Sequence, residues 1–204
     1  RILELSQRVP AMHVAGAFSC MEIVDAIYHE LMRDGDTFIM SKGHGWMAQF
    51  VILEERGLVK FEDIGAHPDY GTPGIACSTG SLGHGLGMAV GMAYADPEHK
   101  IYVLLSDGEC QEGSTWEALL LANALELTNL IIYVDYNHQN SSISTEPWLD
   151  WLQTKMEMFA PRLQGKIKVM YTVKGTPFRE MQEPIWHYKS PDAEKCAEWM
   201  KQLA

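Results

Sequence analysis

Hydrophobic positions along the chain form short continuous runs that alternate with longer segments of helical spacing. The runs predict strands at 38–40, 101–105, 130–134 and 166–173. The longer segments predict helices at 20–32, 46–56, 82–95, 114–127, 148–159 and 191–203. Because strands and helices alternate, the pattern favours an α/β fold with three αβα layers and a mainly parallel sheet. No repeat or linker interrupts it, so residues 1–204 are predicted to form a single domain.

Breaks in this pattern predict local structure. Ser19 precedes the helical stripe that begins at Ile23, and it is expected to be the N-cap of helix 20–32. Residues 65–80 are rich in Gly, Pro and His and predict a long loop, which is often a functional segment. A polar loop is predicted at 136–144, directly after a strand. In parallel sheets ligands bind beyond the carboxyl ends of strands, so loops in that position are candidates for a site.

Composition narrows the class of protein. The apolar fraction is 47%, which is ordinary for a folded domain. The net charge is −11 and there is no basic run, which argues against a nucleic-acid surface. The four cysteines are scattered without a CxxC pair, and no apolar run is long enough to span a bilayer. We therefore expect a reduced, cytoplasmic protein that binds neither nucleic acid nor a membrane.

Polar residues follow two successive predicted strands. Asp107 comes after strand 101–105, and Asn137 comes after strand 130–134, 30 residues beyond Asp107. A strand–helix–strand unit of this size brings both residues to one edge of a parallel sheet. Carboxylate and amide oxygens suit Mg²⁺, and substrate phosphates usually complete its shell. Either residue alone is more often a cap of a helix or turn, but the pair at this spacing favours a metal site.

Small residues beside Asp107 point to a phosphate ligand. Gly108 allows the backbone to approach a ligand closely. The helix that is predicted to begin near residue 114 would add backbone N–H groups and the positive end of its dipole. This edge of the sheet is therefore predicted to bind Mg²⁺ and a diphosphate together.

Several motifs, in order along the chain, resemble those of one enzyme family. The stretch SDGECQEGSTWEALLLANALELTNLIIYVDYNHQN is similar to the thiamine diphosphate fingerprint, which begins with Gly-Asp-Gly and ends at an Asn. Ser106 stands where the fingerprint usually has its first Gly. The motifs SKGHG, HPDYGTPGIACSTGSLGHGLGMAVGMA and TVKGTPF with WHYK resemble those of transketolases in the same order. The resemblance extends over residues 9–189.

The resemblance covers one domain of a transketolase and implies a split enzyme. A full-length transketolase has diphosphate-binding, pyrimidine-binding and C-terminal domains, and this chain resembles the first alone. The implied cofactors are thiamine diphosphate and Mg²⁺ (or Ca²⁺ or Mn²⁺), and the implied reaction moves a two-carbon ketol unit from a ketose phosphate to an aldose phosphate. A C-terminal subunit with the pyrimidine-binding domain would supply an activating glutamate, in a heterotetramer. The chain would be inactive alone.

The family pattern implies roles for residues of the fingerprint. Asp107 and Asn137 would coordinate the metal through their side chains, and Gln139 would do so through its backbone carbonyl. Gly108 and Asn137 would contact the diphosphate end of the cofactor. These positions coincide with the pair of strand ends that the hydrophobic pattern indicates.

Residues outside the strand ends match the family as well. Gly80 and Leu82, in TGSLGHG, would line the aminopyrimidine and thiazolium rings of the cofactor. Glu112 resembles a glutamate at the subunit contact that is proposed to link paired active sites through protons. Without the resemblance, these residues would be interpreted as a loop glycine, a core leucine and a helix N-terminal carboxylate.

Four histidines match positions at the family's active site. His44 and His187 match residues that contact diphosphate or substrate, and His13 and His67 match residues near the reacting carbon. Imidazole suits sugar hydroxyls, phosphate oxygens and proton transfer near neutral pH. A lone histidine is more often structural or simply exposed.

Other functions stay open at this point. Dihydroxyacetone synthase, deoxyxylulose-phosphate synthase and 2-oxoacid dehydrogenase components use the same cofactor, and HPDYGTPGIACSTGSLGHG favours transketolase over the last two. A catalytically silent subunit that regulates a partner is an alternative, although the matching metal pair and histidines count against it. A plain nucleotide-binding domain would need a P-loop or a GxGxxG after a strand, and the sequence has neither. Segments near 33–36, 65 and 159–166 are shorter than the family suggests, which predicts a compact variant or missing residues.

Overall fold

The computed structural model describes residues 1–9, 13–65, 67–140, 143–144 and 150–203. The strands in chain order are β1 (Thr37–Met40), β2 (Ile101–Ser106), β3 (Leu130–Tyr136), β4 (Gln139–Asn140), β5 (Ile143–Ser144) and β6 (Ile167–Tyr171). Within the described ranges, β1, β2, β3 and β6 pair in parallel, in the order β1–β2–β3–β6. The strands β4 and β5 form a separate antiparallel pair that begins just beyond β3.

Helices flank both faces of the sheet. In chain order they are α1 (Ile2–Arg8), α2 (Val14–Ala26), α3 (Trp46–Glu55), α4 (Gly85–Ala95), α5 (Gly113–Ala124), α6 (Leu152–Phe159) and α7 (Ala193–Leu203). A π-helical turn, Ile27–Leu31, continues α2. Several short 3₁₀ turns, among them Gly43–Gly45 and Gly108–Gln111, lie between these elements.

Side chains of the central strands alternate between two buried clusters. Tyr102 and Leu104 of β2 pack in one cluster with residues of α1, α2, α3 and α7. Ile101, Val103 and Leu105 pack in the other with residues of α4, α5 and α6. Every side chain of β2 is buried, which is why this strand is a continuous apolar run rather than an alternating one. The prediction of a three-layer α/β fold with a parallel sheet is confirmed.

The prediction that Ser19 caps a helix is wrong. Helix α2 begins at Val14, and the carbonyl of His13 accepts hydrogen bonds from the first-turn amides of Gly16 and Ala17, at 2.9 and 3.2 Å. The segment before Ser19 is apolar and buried, so packing against the sheet extends the helix past a residue that usually begins one. The Ser19 hydroxyl instead donates to Oδ1 of Asp135, at 3.0 Å.

Smaller differences concern element ends. Strand β3 continues to Tyr136, so the polar loop predicted at 136–144 starts inside the sheet and contains the β4–β5 pair. Helix α4 begins at Gly85 rather than at residue 82, and α6 begins at Leu152. The first residues of the helix predicted at 148–159 lie outside the described part of the chain. No helix in the described part is both long and apolar enough to cross a membrane.

Two glycines let loops pack closely at the carboxyl edge of the sheet. A Cβ atom added at Gly43 would lie 2.6 Å from the backbone Cα of Gly80, so the loop that contains Gly80 reaches the end of β1 only because residue 43 lacks a side chain. A Cβ atom added at Gly85 would lie 2.7 Å from the Cα of Ser41. The start of α4 is therefore held against the same segment.

We predict opposite effects for alanine at two glycines of α4. Gly85→Ala should lower the free energy of unfolding by about 1–3 kcal/mol, because the new methyl group overlaps the Ser41 backbone. Gly91→Ala should raise it by about 0.5–1 kcal/mol, because Gly91 has nothing within 4 Å of an added Cβ and glycine disfavours a helix. Urea unfolding of both variants measures the difference. Equal stability of the two variants would contradict the close approach of α4 to Ser41.

Candidate functional site

The register of β2 and β3 brings the two predicted metal ligands together. Ser106 pairs with Asp135 at the end of the parallel ladder. The backbone amide of Gln139 lies 3.1 Å from Oδ2 of Asp107 and 3.1 Å from Oδ1 of Asn137, and it donates to both. Asp107 is fully buried and Asn137 is 7% exposed. Two oxygens from two strand ends therefore converge on one point at the carboxyl edge of the sheet, as the spacing predicts.

The donor set at this point suits a hard cation. Its side-chain oxygens come from one carboxylate, on Asp107, and one amide, on Asn137, which are ligand types that Mg²⁺ accepts. Among the described residues there is no group of three or more His, Cys, Asp or Glu side chains that could hold a metal ion. Metal coordination by Asp107, Asn137 and Gln139 stays a prediction.

Gln139 is anchored at the edge of this site. Its side-chain Nε2 donates to the carbonyl of Gln182, at 3.1 Å, in the 3₁₀ turn Arg179–Gln182. Its Oε1 is buried and makes no hydrogen bond within the described chain. A buried acceptor without a donor is uncommon, and it marks a position where a ligand or water would be bound.

A cavity of about 240 Å³ opens beside the converging oxygens. The predicted site residues that line it are His13, His44, Gly80, Leu82, Gly108, Asn137, Gln139 and His187. Three other lining residues, Ser106, Asn140 and Lys174, were not predicted as site residues. The cavity joins elements that are far apart in sequence, which is expected of a functional site at a sheet edge.

Two predicted catalytic residues lie outside this cavity. Glu112 is exposed just before α5 and makes no capping hydrogen bond through its side chain. His67 is exposed in the long loop, but it is near enough to contribute, after burial and Lys174, to the lowered pKa of His13. A role for either residue would require a group that approaches from outside the chain. Their assignments stay predictions.

Three histidines form a neutral cluster around the cavity. The ring centroids of His13 and His187 are 4.6 Å apart, and that of His44 is 5.7 Å from His13. Burial, and then the charge of Lys174, lowers the pKa of His187 to about 3. Burial also lowers the pKa of His13 and holds that of His44 well below its ordinary value. At neutral pH these rings therefore act as hydrogen-bonding groups rather than as cations.

The conformation of His13 is unusual. Its φ angle is +81°, in the left-handed region that side chains other than glycine rarely adopt. Its Nδ1 atom is buried and makes no hydrogen bond among the described residues. Such backbone strain is found preferentially at active sites and ligand clamps. The structure thus holds an unpaired imidazole nitrogen at the wall of the cavity.

Lys174 is the cation that lines this cavity. It is 3% exposed, and its Nζ lies 2.9 Å from Nδ1 of His187. Burial, and then repulsion by Lys42, lowers the pKa of Lys174 to about 8. A partly desolvated ammonium group beside neutral imidazoles favours an anionic ligand. The motif TVKGTPF contains this residue, but nothing in the sequence pattern distinguishes it from a surface lysine.

A buried ion pair lies near the carboxyl edge of the sheet. Lys42 and Asp135 are both 0% exposed and form a salt bridge, and Lys42 Nζ also donates to the carbonyl of Gly16, at 2.9 Å. Burial alone would lower the pKa of Lys42, but the charge and hydrogen bond of Asp135, together with the smaller effects of Cys20 and Asp107, raise it overall. Lys42 therefore stays charged in the interior.

This pair also sets the orientation of Asn137. The amide Nδ2 of Asn137 donates to Ser19 Oγ at 3.0 Å and, more weakly, to Asp135 Oδ2 at 3.4 Å. Asp135 is held in turn by Lys42 and by the hydroxyl groups of Ser19 and Thr172. Because the NH₂ end of the amide is engaged on this side, its oxygen faces Gln139 and Asp107. No role was predicted for Lys42 or Asp135, and the sequence marks them only as charged residues within or beside an apolar strand.

Known proteins resemble this chain over most or all of its length. It matches the family described as "Transketolase, thiamine diphosphate binding domain" over residues 12–160. It is 30% identical to one of the apulose-4-phosphate transketolase subunits of Phocaeicola vulgatus, over 100% of this chain and 90% of that protein. The protein of the same name from Actinobacillus succinogenes is 31% identical, over 100% of this chain and 92% of its own length. The first alignment extends over 253 residues, so that relative has residues which this chain of 204 lacks.

Solved structures show the same fold. A transketolase from Leishmania mexicana has a TM-score of 0.83 and 23% identity, over 99% of this chain and 39% of its own. The transketolase of Campylobacter jejuni has a TM-score of 0.70 and 19% identity, over 97% of this chain and 42% of its own. This chain therefore spans about two fifths of the solved enzymes that it resembles.

We predict strong coupling between Lys42 and Asp135. Lys42→Met and Asp135→Asn should each lower the free energy of unfolding by about 3–5 kcal/mol, because each leaves a buried charge without its partner. The double variant should lose less than the sum, by roughly 0.5–3 kcal/mol. Denaturant unfolding of all three variants measures this coupling.

A surface ion pair provides the control for these three variants. Lys195 Nζ lies 3.1 Å from Oε1 of Glu180, where the Glu180 side chain is 54% exposed. Lys195→Met should therefore cost less than about 1 kcal/mol. Additive losses in the Lys42 and Asp135 variants would show that the buried pair is not coupled.

Proposed function

The chain belongs to the transketolase family, as a split-transketolase subunit of the transferase class that carries the thiamine diphosphate-binding domain, and from this premise we propose its reaction. Together with a partner subunit, it transfers a two-carbon ketol unit from a ketose phosphate to an aldose phosphate. The convergence of Asp107 and Asn137 on the amide of Gln139 is the observation that supports this function most. That geometry provides for a divalent cation beside a cavity with one lysine, as a diphosphate requires.

The described residues fit a bound thiamine diphosphate with its metal. The Asp107 carboxylate, the Asn137 amide oxygen and the backbone carbonyl of Gln139 would hold Mg²⁺. Lys174, with His187 beside it, would neutralise and hydrogen-bond the diphosphate oxygens. Gly108 lines the cavity without a side chain and would let the backbone come close to the diphosphate.

Residues on the remaining walls would orient the cofactor rings and the sugar. Gly80 and Leu82 line the cavity on the side of the long loop and would contact the rings. When bound, thiamine diphosphate supplies the carbanion chemistry that breaks and forms carbon–carbon bonds. His13 and His44 would donate or accept hydrogen bonds with sugar hydroxyls. His13, which the family pattern puts near the reacting carbon, would be present as a neutral imidazole that can accept a proton.

A partner subunit would complete the site. The cavity of about 240 Å³ is smaller than the roughly 300–1,000 Å³ of a complete ligand pocket, so part of its wall would come from elsewhere. The relatives that match this chain over its whole length are themselves named as subunits, which supports an assembly with a second kind of chain. We propose that this partner carries the pyrimidine-binding domain and that two copies of each chain form a heterotetramer. His67 and Glu112, which are exposed here, would then face the partner.

For the sugar substrates, we propose a chemical class rather than individual compounds. The names of the relatives include apulose-4-phosphate and 6-deoxy-6-sulfo-D-fructose, which differ from each other in their anionic groups. We propose a ketose phosphate donor and an aldose phosphate acceptor for this chain, because the cavity combines neutral imidazoles for hydroxyl groups with a lysine for an anion.

Cofactor binding by the assembled protein tests this function. The complex of this chain with its partner should bind thiamine diphosphate in Mg²⁺, should lose that binding when EDTA removes the metal, and should transfer two-carbon units between sugar phosphates. Asp107→Ala should weaken binding by about 100-fold or more, since even residues that only support metal ligands typically contribute 10–100-fold. Asp34→Ala, at an exposed aspartate, is the control. A wild-type complex that binds no thiamine diphosphate would overturn the proposal in favour of a silent subunit.

The lowered pKa of Lys174 predicts how binding depends on pH. The free site holds Lys174 with a pKa of about 8, so its positive charge is present at pH 7 and is lost as the pH rises. The diphosphate is already fully ionised in this range, since phosphate monoesters have a second pKa near 6. The dissociation constant of thiamine diphosphate, measured by calorimetry, should therefore rise between pH 7 and pH 9. Lys174→Met should bind more weakly at pH 7 and show no such rise. A wild-type dissociation constant that is equal at both pH values would exclude Lys174 as a diphosphate ligand.

A further inference from the structure

Glu109 is a fully buried carboxylate that the function described above does not use. It follows the predicted metal ligand by two residues, in the 3₁₀ turn Gly108–Gln111, but it does not line the cavity. Its Oε1 accepts hydrogen bonds from the hydroxyl of Ser41 and from the backbone amide of Gly83, the latter at 2.8 Å. Its Oε2 accepts a longer one, at 3.4 Å, from the amide of Ser106. One side chain thus joins three segments that are distant in sequence.

Each of these segments carries residues of the cavity. Ser41 begins the segment that contains His44, and Gly83 ends the loop that contains Gly80 and Leu82. Ser106 ends β2 directly before Asp107. We name the set Ser41, Gly83, Ser106 and Glu109 the carboxylate junction. The carboxylate junction therefore links the three segments that form walls of the cavity.

The loop at Gly83 has little freedom to move at this junction. Gly83 has a φ angle of +84°, and a Cβ atom added there would lie 2.8 Å from the Cβ of Glu112. The carbonyl of Gly83 accepts a hydrogen bond from Ser114 Oγ at 2.9 Å, so the loop is tied to α5 on its other side. The amide of Gly83 then points at Glu109, which is its hydrogen-bond partner in the interior.

A buried carboxyl group in this position requires hydrogen-bond partners. Burial of a carboxylate is strongly unfavourable unless hydrogen bonds replace water, and Glu109 has them from three separate segments. An apolar residue of similar size would pack there, but it would leave the amide of Gly83 and the hydroxyl of Ser41 unsatisfied. Those two groups would then favour positions nearer to water, and the loops would move with them.

We propose that Glu109 is a positioning residue for cofactor binding. Through the carboxylate junction it holds the Ser41–His44 segment and the loop before Gly83 against the end of β2. It thereby sets the distances between His44, Leu82 and the metal-binding edge that thiamine diphosphate must span. This inference rests on the proposed function, which supplies the ligand, but it concerns a residue that does not touch that ligand.

Two substitutions at Glu109 test the proposal in the complex with the partner subunit. Glu109→Gln keeps Oε1 and so keeps the acceptor for Ser41 and Gly83, whereas Glu109→Leu removes every acceptor at similar size. The Leu variant should raise the dissociation constant of thiamine diphosphate about 10–100-fold at saturating Mg²⁺, as loss of supporting groups typically does. The Gln variant should stay within about 3-fold of wild type. Hydrogen–deuterium exchange should be faster for residues 80–85 in the Leu variant and unchanged in the Gln variant.

A control separates positioning from a general loss of stability. Leu119 is a buried residue of α5, in the cluster that contains Val103 of β2. Leu119→Ala should lower the free energy of unfolding by about 2–5 kcal/mol. Measured well below the melting temperature of each variant, it should leave the dissociation constant unchanged. If Leu119→Ala weakens cofactor binding as much as Glu109→Leu does, the effect of Glu109 is one of stability alone and the proposal fails.

Ser41→Ala keeps the test decisive if Glu109→Leu does not fold. This substitution removes one donor of the carboxylate junction and leaves the Glu109 side chain in place, so it should raise the dissociation constant about 3–10-fold and speed hydrogen–deuterium exchange of residues 80–85. Unchanged binding and exchange in Ser41→Ala or in a folded Glu109→Leu would overturn the proposal, as would a Gln variant that binds as weakly as the Leu variant. Failure of the wild-type complex to bind thiamine diphosphate would instead count against the proposed function.

Discussion

Parallel pairing of β2 with β3, with Ser106 opposite Asp135, determines where every other feature of the site must lie. A parallel ladder ends at the same height on both strands, so the residues that follow them share one edge. The pairing requires both faces of these strands to be covered, and the two buried clusters do that with helices on each side. The loops that enclose the cavity leave from the same edge, because the helices return the chain to the opposite one.

The site also depends on three buried ionisable side chains near this edge. Lys42, Asp135 and Glu109 are all 0% exposed, and each is paired or hydrogen-bonded. Paired charges of this kind contribute little net stability, but they orient their partners strictly, since an unpaired buried charge is very unfavourable. The amide of Asn137 and the loop at Gly83 both owe their orientation to such a group. The three histidines that line the cavity are neutral by contrast, and Lys174 is the cation in its described lining.

Much of this could be predicted from the sequence, and the errors have physical causes. The strands were predicted well because a doubly covered strand must be a continuous apolar run, as Ile101–Ser106 is. The cap at Ser19 was predicted wrongly because local preference for serine at a helix start is worth only about 1 kcal/mol, and burial of the preceding apolar turn outweighs it. Glu109 and Lys174 were missed because a charged residue in a sequence is most often solvated, and only packing shows that these two are buried.

The sequence by itself determined the layered α/β fold, the pair of polar strand ends and the motifs that indicate a transketolase. These features are local or periodic, so they can be recognised without knowing which segments meet. The tertiary structure alone decided that Lys42 meets Asp135 and that Glu109 joins three separate segments. It also decided that His13, His44 and His187 share one cavity, whereas His67 and Glu112 lie outside it. Such contacts join residues far apart in the chain, and no local pattern encodes them because each arises from the way whole elements pack.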